Sequence, residues 1–204
     1  MKKQILFIRG GETFENKEDF YKYISTVELD PYKERKYWRD WIIWALSENY
    51  DQIVPLMPCK QSADYHAWKI WFERHLDYIY DESPILIGHS LGATFLLKYL
   101  SENGFTKKIS QLHLVAPAVT DERSELYLEK LATFEFDISK INSIEKLCDE
   151  IHLWHSKDDP VVIFENSEIV KKYLPKAEFH IFTDREHFNQ PSFPEILEVI
   201  NKSK

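Results

Sequence analysis

The chain has 204 residues, a net charge of −8, 44% hydrophobic and 15% aromatic residues. That length suits one domain, 1–204, with a substantial core, and the hydrophobic content excludes a disordered chain. The acidic balance argues against a general binder of nucleic acid or of anionic membrane, and no apolar stretch is long enough to span a bilayer.

Short apolar runs alternate with helical patterns, which predicts βαβ units and a mostly parallel sheet of about six strands. The first predicted strand is Gln4–Ile8, followed by Gly10 and Gly11. The apolar run after Met1-Lys2-Lys3 is too short for a secretion signal and stops at Arg9. Asp30-Pro31 predicts a helix start, with Asp as N-cap and Pro as first helical residue. Its apolar face would be Trp38, Trp41, Ile42 and Ala45. A strand is expected at Asp51–Pro55. A second helix carries Trp68, Trp71, Phe72, His75, Leu76 and Ile79 on one face, and His75 there reads as a hydrogen-bonded core residue. Cys59 and Cys148, the two cysteines, are far apart and in no metal spacing. They read as reduced thiols of a cytoplasmic protein.

Ile85–Gly88 is the third predicted strand and runs into Gly88-His89-Ser90-Leu91-Gly92, with a helix from Ser90 to Ser101 behind it. Gly-x-Ser-x-Gly between strand and helix is the signature of a nucleophile elbow, a sharp turn that exposes the serine hydroxyl. The chain has only 5 glycines, well below the roughly 7% of an average protein, and four of them fall at two strand ends. The fifth, Gly104, stands where a helix C-cap glycine is expected. After a strand at Gln111–Val115, the stretch 117–148 is rich in charges with scattered aromatics (Tyr127, Phe134, Phe136). It reads either as a lid over the carboxyl ends of the strands or as a connecting helix with a surface loop. Strands at Glu150–Trp154 and Glu178–Phe182 and a final helix from Phe193 to Asn201 complete the pattern.

A serine hydroxyl needs a base within hydrogen-bond reach and a third group that orients the base, in the chain order Ser, Asp/Glu, His for elbow enzymes. The fifth strand leads into His155-Ser156-Lys157-Asp158-Asp159-Pro160. Asp159, whose turn is fixed by Pro160, is the first choice for the acid and Asp158 the alternative. The last strand leads into Thr183-Asp184-Arg185-Glu186-His187, which puts His187 where the base is required. His155 competes but precedes the aspartates, and His180 alternates with Phe179 and Ile181 and reads as packed on the sheet. An oxyanion would be met by the backbone N–H of Leu91 at the helix N-terminus and by a second N–H from Gly11 or Gly10. His152, His155, Asp158 and Asp159 make a poor metal cluster, because His152 and His155 point to opposite faces of a strand. No metal is expected, and Arg9-Gly10-Gly11-Glu12 lacks the dinucleotide fingerprint.

Ile87-Gly88-His89-Ser90-Leu91-Gly92, His155-Ser156-Lys157-Asp158-Asp159-Pro160-Val161-Val162 and Glu186-His187-Phe188 together resemble the small α/β-hydrolases related to retinoblastoma-binding protein nine, over nearly the whole chain. The resemblance implies a three-layer α/β/α sandwich, a minimal α/β-hydrolase fold without the first two strands of larger members. It also implies a carboxylesterase-like serine hydrolase without a cofactor, with Ser90, Asp159 and His187 as triad and a small-molecule acyl compound as substrate. The chain departs from the family at Ile163, where Pro is usual, and at Glu186, where Gly is usual and whose charge stands beside the base. Two other readings share these residues: a weak or inactive hydrolase-fold binding protein, and an acyltransferase or carbon–carbon bond hydrolase.

Overall fold

A computed structural model describes residues 2–32, 34, 36–119 and 131–202. Six strands, β1 (Lys3–Ile8), β2 (Tyr50–Ile53), β3 (Ile85–His89), β4 (Ile109–Val115), β5 (Cys148–Ser156) and β6 (Glu178–Phe182), form one sheet in the order β2-β1-β3-β4-β5-β6. All five pairings are parallel. The chain leaves β1 toward β2 on one side and returns to β3 on the other. The order therefore reverses at β1, and a crevice at the carboxyl ends of β1 and β3 is the expected ligand position in an open α/β sheet.

Strand alternation sorts the core into two layers. Leu6, Ile8, Leu86, Leu112, Leu114, Ile151 and Leu153 face a cluster that includes Trp68 and Phe72 of α3 (Tyr65–Leu76) and Phe95 and Leu96 of α4 (Leu91–Asn103). Ile5, Phe7, Ile85, Ile87 and Trp154 face Trp38 and Ile42 of α2 (Trp38–Leu46) and Ile196 and Ile200 of α6 (Pro194–Lys202). Period-two side-chain alternation puts i and i+2 on one face, and both faces are covered, as parallel sheets require. α5 (Glu165–Tyr173) joins the first layer through Val170.

One expectation changes, one helix is unforeseen and one open stretch takes shape. Asp30-Pro31 does not open a helix: the Asp30 side chain instead accepts the Tyr32 N–H, an Asx turn, and α2 starts at Trp38 with Tyr37 as N-cap. α1 (Lys17–Thr26), capped by Asn16, has no buried residue, and so carries no apolar stripe by which to find it. Within 117–148, the described residues pack as core rather than as a lid. Leu131, Phe134, Ile138, Ile141 and Ile144 are buried along 3₁₀ segments at Ala132–Phe134 and Ile138–Lys146. Residues 120–130, where the remainder of any lid would lie, fall outside the described residues. His75 is half-buried, with Nδ1 2.7 Å from the Trp71 carbonyl oxygen. Gly104 does end α4, at φ 71° with its N–H on the Leu100 carbonyl. Burial pushes the Cys148 thiol up to about 12, so it stays protonated. No helix among the described residues is long and apolar enough to cross a membrane.

The tightest packing lies at the start of α4. A Cβ on Gly92 would stand 2.2 Å from the Ile8 carbonyl oxygen and 2.8 Å from that of Arg9. Gly92→Ala is therefore expected to lower stability by about 3 kcal/mol, read as a lower urea midpoint at unchanged m.

Candidate active site

Ser90 follows β3 directly and adopts φ 55° and ψ −129°, a conformation that L residues hold only where the surroundings enforce it. Three contacts enforce it. The Ser90 N–H donates to the Val115 carbonyl at 2.8 Å, and the Ala93 N–H donates to the Ser90 carbonyl at 2.8 Å. On the inner side, a Cβ on Gly88 would stand 2.6 Å from Ala93 Cα. The turn points the Ser90 hydroxyl at the crevice.

His187 Nε2 lies 2.9 Å from Ser90 Oγ, and His187 Nδ1 lies 2.8 Å from Asp159 Oδ2. A carboxylate only accepts, so Nδ1 carries the proton of the neutral imidazole and Nε2 accepts from the serine hydroxyl. Asp159 and His187 are each 7% exposed. Burial disfavours the Asp159 charge, but hydrogen bonds from His155 and His187, the electrostatic attraction of the His187 ring and the Val162 N–H outweigh it. Together they hold the carboxyl well below the usual range. Its other oxygen accepts the Val161 and Val162 N–H groups at 2.8 and 2.9 Å.

Asp158 does not approach His187. Its Oδ1 accepts from Ser156 Oγ and from the Glu186 N–H at 3.0 Å. These hydrogen bonds, Ser156 first, lower its pKa although it is exposed. Ser156 Oγ in turn accepts the Arg185 N–H at 3.0 Å. The two acids thus divide: Asp159 meets the imidazole, and Asp158 with Ser156 holds the two residues before it.

His155 is fully buried beside the site. Its Nε2–H donates to the Val162 carbonyl at 2.9 Å and lies 3.3 Å from Asp159 Oδ2, while Nδ1 accepts from Ser167 Oγ at 2.6 Å. It supports the acid rather than the serine. His89 Nε2 is 3.1 Å from the His187 carbonyl oxygen. Burial, then the charges of His187 and Arg39, push the His89 pKa far down, so it stays neutral and donates there. Sequence reasoning missed His89, because the variable position of Gly-x-Ser carries no pattern. It missed the Ser156–Asp158 clamp because this joins two loops far apart in the chain.

Of the glycines after β1, Gly10 abuts the serine: its added Cβ would stand 2.9 Å from Ser90 Cβ and 3.5 Å from Ser90 Oγ. An added Cβ on Gly11 would meet the Lys60 carbonyl oxygen at 2.5 Å. The loop is pinned by the Glu12 N–H on that carbonyl and by the Ala63 N–H on the Glu12 carbonyl, both at 2.7 Å. In the turns and loops described, neither the Leu91 nor the Gly11 N–H donates to a backbone carbonyl. His152 and His180 lie away from this site beside Trp154, on which His180 stacks.

Glu186 and Phe188 flank His187 with φ of 46° and 52°. The left-handed conformation at 186 is the one that glycine adopts without cost, which explains why glycine is usual at this position and leaves Glu186 strained. Glu186 is exposed, so Glu186→Gly should leave activity intact and raise stability by up to about 1 kcal/mol, relief of the strain less the added backbone entropy. Chemical denaturation checks it. A depressed Asp159 pKa stabilises the native state fully above the unfolded value, about 3.9, and this stabilisation fades as pH falls toward the native pKa. Below about pH 4, the wild-type urea midpoint should therefore drop more steeply than that of Asp159→Asn.

A family model described as serine hydrolase matches residues 32–200. The rat protein serine hydrolase RBBP9 (Rattus norvegicus) is 28% identical over 170 residues, 80% of this chain and 84% of that protein. Among solved structures, the ydeN gene product of B. subtilis superposes with a TM-score of 0.72 at 18% identity, covering 99% of this chain and 98% of that one. A lipase-esterase related protein from Clostridium acetobutylicum superposes with a TM-score of 0.59 at 13% identity, covering 99% and 94%. These likenesses bear on the fold, which is that of the α/β-hydrolases. With most of its length matched by the family model, the chain belongs to the serine hydrolase family.

Proposed function

We propose that the protein hydrolyses a small ester, thioester or amide through an acyl-enzyme on Ser90. The observation that carries this reading is the unbroken chain of hydrogen bonds from Ser90 Oγ through His187 to Asp159. In the first step Ser90 Oγ attacks the carbonyl carbon while His187 Nε2 takes the hydroxyl proton. His187 then gives this proton to the leaving group as the bond to it breaks. A water attacks the acyl-enzyme, again with His187 as base, and the acid departs with Ser90 restored. Asp159 keeps the imidazole in the tautomer that accepts at Nε2 and stabilises the imidazolium.

Negative charge on the substrate oxygen would be met by the Leu91 N–H at the start of α4, where the helix dipole favours an anion. A second N–H from Gly11, with Gly10 beside it, completes the pair. Support for this pair is the closeness of Gly10 to Ser90 Oγ, which brings the peptide joining the two glycines alongside the serine. Each such donor is worth about 3 kcal/mol of transition-state stabilisation where it has been removed from other enzymes. Water serves as the acyl acceptor because the family is one of hydrolases. A small neutral or cationic acyl compound suits a chain of net charge −8 better than a polyanion does.

A fluorophosphonate probe should label the wild type and leave Ser90→Ala unlabelled. Labelling that survives in Ser90→Ala would falsify the assignment of the nucleophile. With a p-nitrophenyl ester, Ser90→Ala and His187→Ala should each lose about 10⁴-fold or more in kcat. Asp159→Asn should lose about 10³–10⁴-fold, whereas Asp158→Asn should lose far less, because Asp158 touches the loop and not the imidazole.

A further inference from the structure

Away from the serine, three ligand-type side chains converge where the middle of β5 meets the start of β6. His152 of β5 stands opposite Glu178 of β6 in the parallel register, and His180 follows Glu178 by two residues. The pleat therefore presents Glu178 and His180 on one face. His152 Nδ1 is 3.2 Å from His180 Nε2 and 3.5 Å from Glu178 Oε2, and His180 Nε2 is 3.7 Å from Glu178 Oε1.

A run of hydrogen bonds settles which of these atoms are lone pairs. The Trp154 indole only donates, here to His113 Nδ1 at 3.3 Å, so in the neutral His113 ring the proton sits on Nε2. His113 Nε2–H donates to Gln111 Oε1 at 3.2 Å. The Gln111 amide nitrogen faces two acceptors, Glu150 Oε2 at 3.0 Å and the Val199 carbonyl at 3.2 Å, which fixes its orientation. His152 Nε2 faces the same Glu150 oxygen at 3.2 Å and so carries the proton of a neutral ring. That leaves His152 Nδ1 as a lone pair, directed at His180 Nε2 and beside a carboxylate that also only accepts. One proton on His180 cannot serve both acceptors, whereas a cation between them serves all three.

We propose that His152 Nδ1, His180 Nε2 and the Glu178 carboxylate bind a divalent first-row transition-metal ion of the zinc class, with a fourth position open to water. The edges of a tetrahedron with metal–ligand bonds of about 2.05 Å are about 3.3 Å, close to the 3.2, 3.5 and 3.7 Å separations. Two imidazoles and one carboxylate are the ligand set of zinc and its neighbours rather than of magnesium or calcium. Glu150 supplies the carboxylate that orients a ligating histidine from behind and raises its basicity. His152 is 4% exposed, which keeps its ring in one place. Glu178 is exposed and borders a cavity of about 440 Å³ shared with Glu150, Val199, Lys176 and Lys202, an open route for the ion. β6 is the edge strand, and the ion would tie it to β5.

Zinc titration of tag-free, chelator-stripped protein by calorimetry tests the site. The wild type should bind one equivalent with micromolar or tighter affinity. Glu178→Gln, His180→Gln and His152→Gln should each weaken binding at least tenfold, and Glu150→Gln by about tenfold through His152. Cobalt should give the intense visible bands of a tetrahedral ion in the wild type alone. Fluorophosphonate labelling reports that each variant is folded; should His152→Gln fail to fold, the exposed Glu178→Gln decides. No zinc binding by the wild type, or equal binding by wild type, Glu178→Gln and His180→Gln, overturns the proposal.

Discussion

The close approach of Gly92 to the end of β1 is the constraint on which the serine site depends. An added Cβ there would collide with the Ile8 carbonyl oxygen at 2.2 Å, so the first turn of α4 lies directly against the end of β1. That contact brings the loop after β1 to the serine, with Gly10 against Ser90 Cβ. It also leaves the chain no room between β3 and α4 except the positive-φ turn at Ser90. The strain of that turn is offset by the Val115 carbonyl on one side and the first helical hydrogen bond on the other. The serine, the helix N-terminus and the glycine loop are thus parts of one packing solution at the point where the strand order reverses.

His187 comes to Ser90 from the other side, on a loop with two left-handed residues. Such a loop would be free to move if only the imidazole were held. It is instead fastened along its length. Ser156 and Asp158 take the N–H groups of Arg185 and Glu186, and His89 takes the His187 carbonyl. The Trp38 N–H takes the Gln190 carbonyl at 2.7 Å. His89 and Ser156 lie at the carboxyl ends of β3 and β5, so the imidazole is positioned from the same sheet that positions the serine and the acid. Positioning of this kind holds His187 Nε2 at 2.9 Å from Ser90 Oγ.

Much of this was legible in the chain because it is local. A strand, a glycine-flanked serine and a helix lie in one run, and six apolar runs mark six strands. Asp159 and His187 stand out by their places after the fifth and sixth strands, and the fold brings both together with Ser90. The rest was illegible for three reasons: a local alternative that wins over the expected one, an element with no apolar stripe, and side chains far apart in sequence that meet. Asp30-Pro31 has the composition of a helix start, yet the Asp30 carboxylate serves the Tyr32 N–H, a local alternative that competes with capping. α1 buries nothing, so apolar periodicity could not reveal it. Gly10 and Gly11 are equivalent as letters; only the packing shows that one faces Ser90 and the other Lys60. Trp154, His113, Gln111, Glu150 and His152 form their network across β4 and β5, and a reading strand by strand sees only alternate residues in each.

Asp158 and Asp159 show where such a reading stops. Both are carboxylates in one turn, both precede Pro160, and both have pKa values lowered by hydrogen bonds. Their difference is what surrounds them. Asp159 is buried, and four donors reach it: two imidazoles and the backbone N–H groups of Val161 and Val162. Asp158 remains in solvent and gathers a hydroxyl and a backbone N–H from the neighbouring loop. A buried carboxylate stays charged only when its lone pairs are filled by donors, and here His155 and the turn fill those that His187 does not. The donors on the far side of Asp159 therefore keep it ionised, and an ionised Asp159 is what keeps the His187 proton on Nδ1 and leaves Nε2 to accept the hydrogen bond of Ser90.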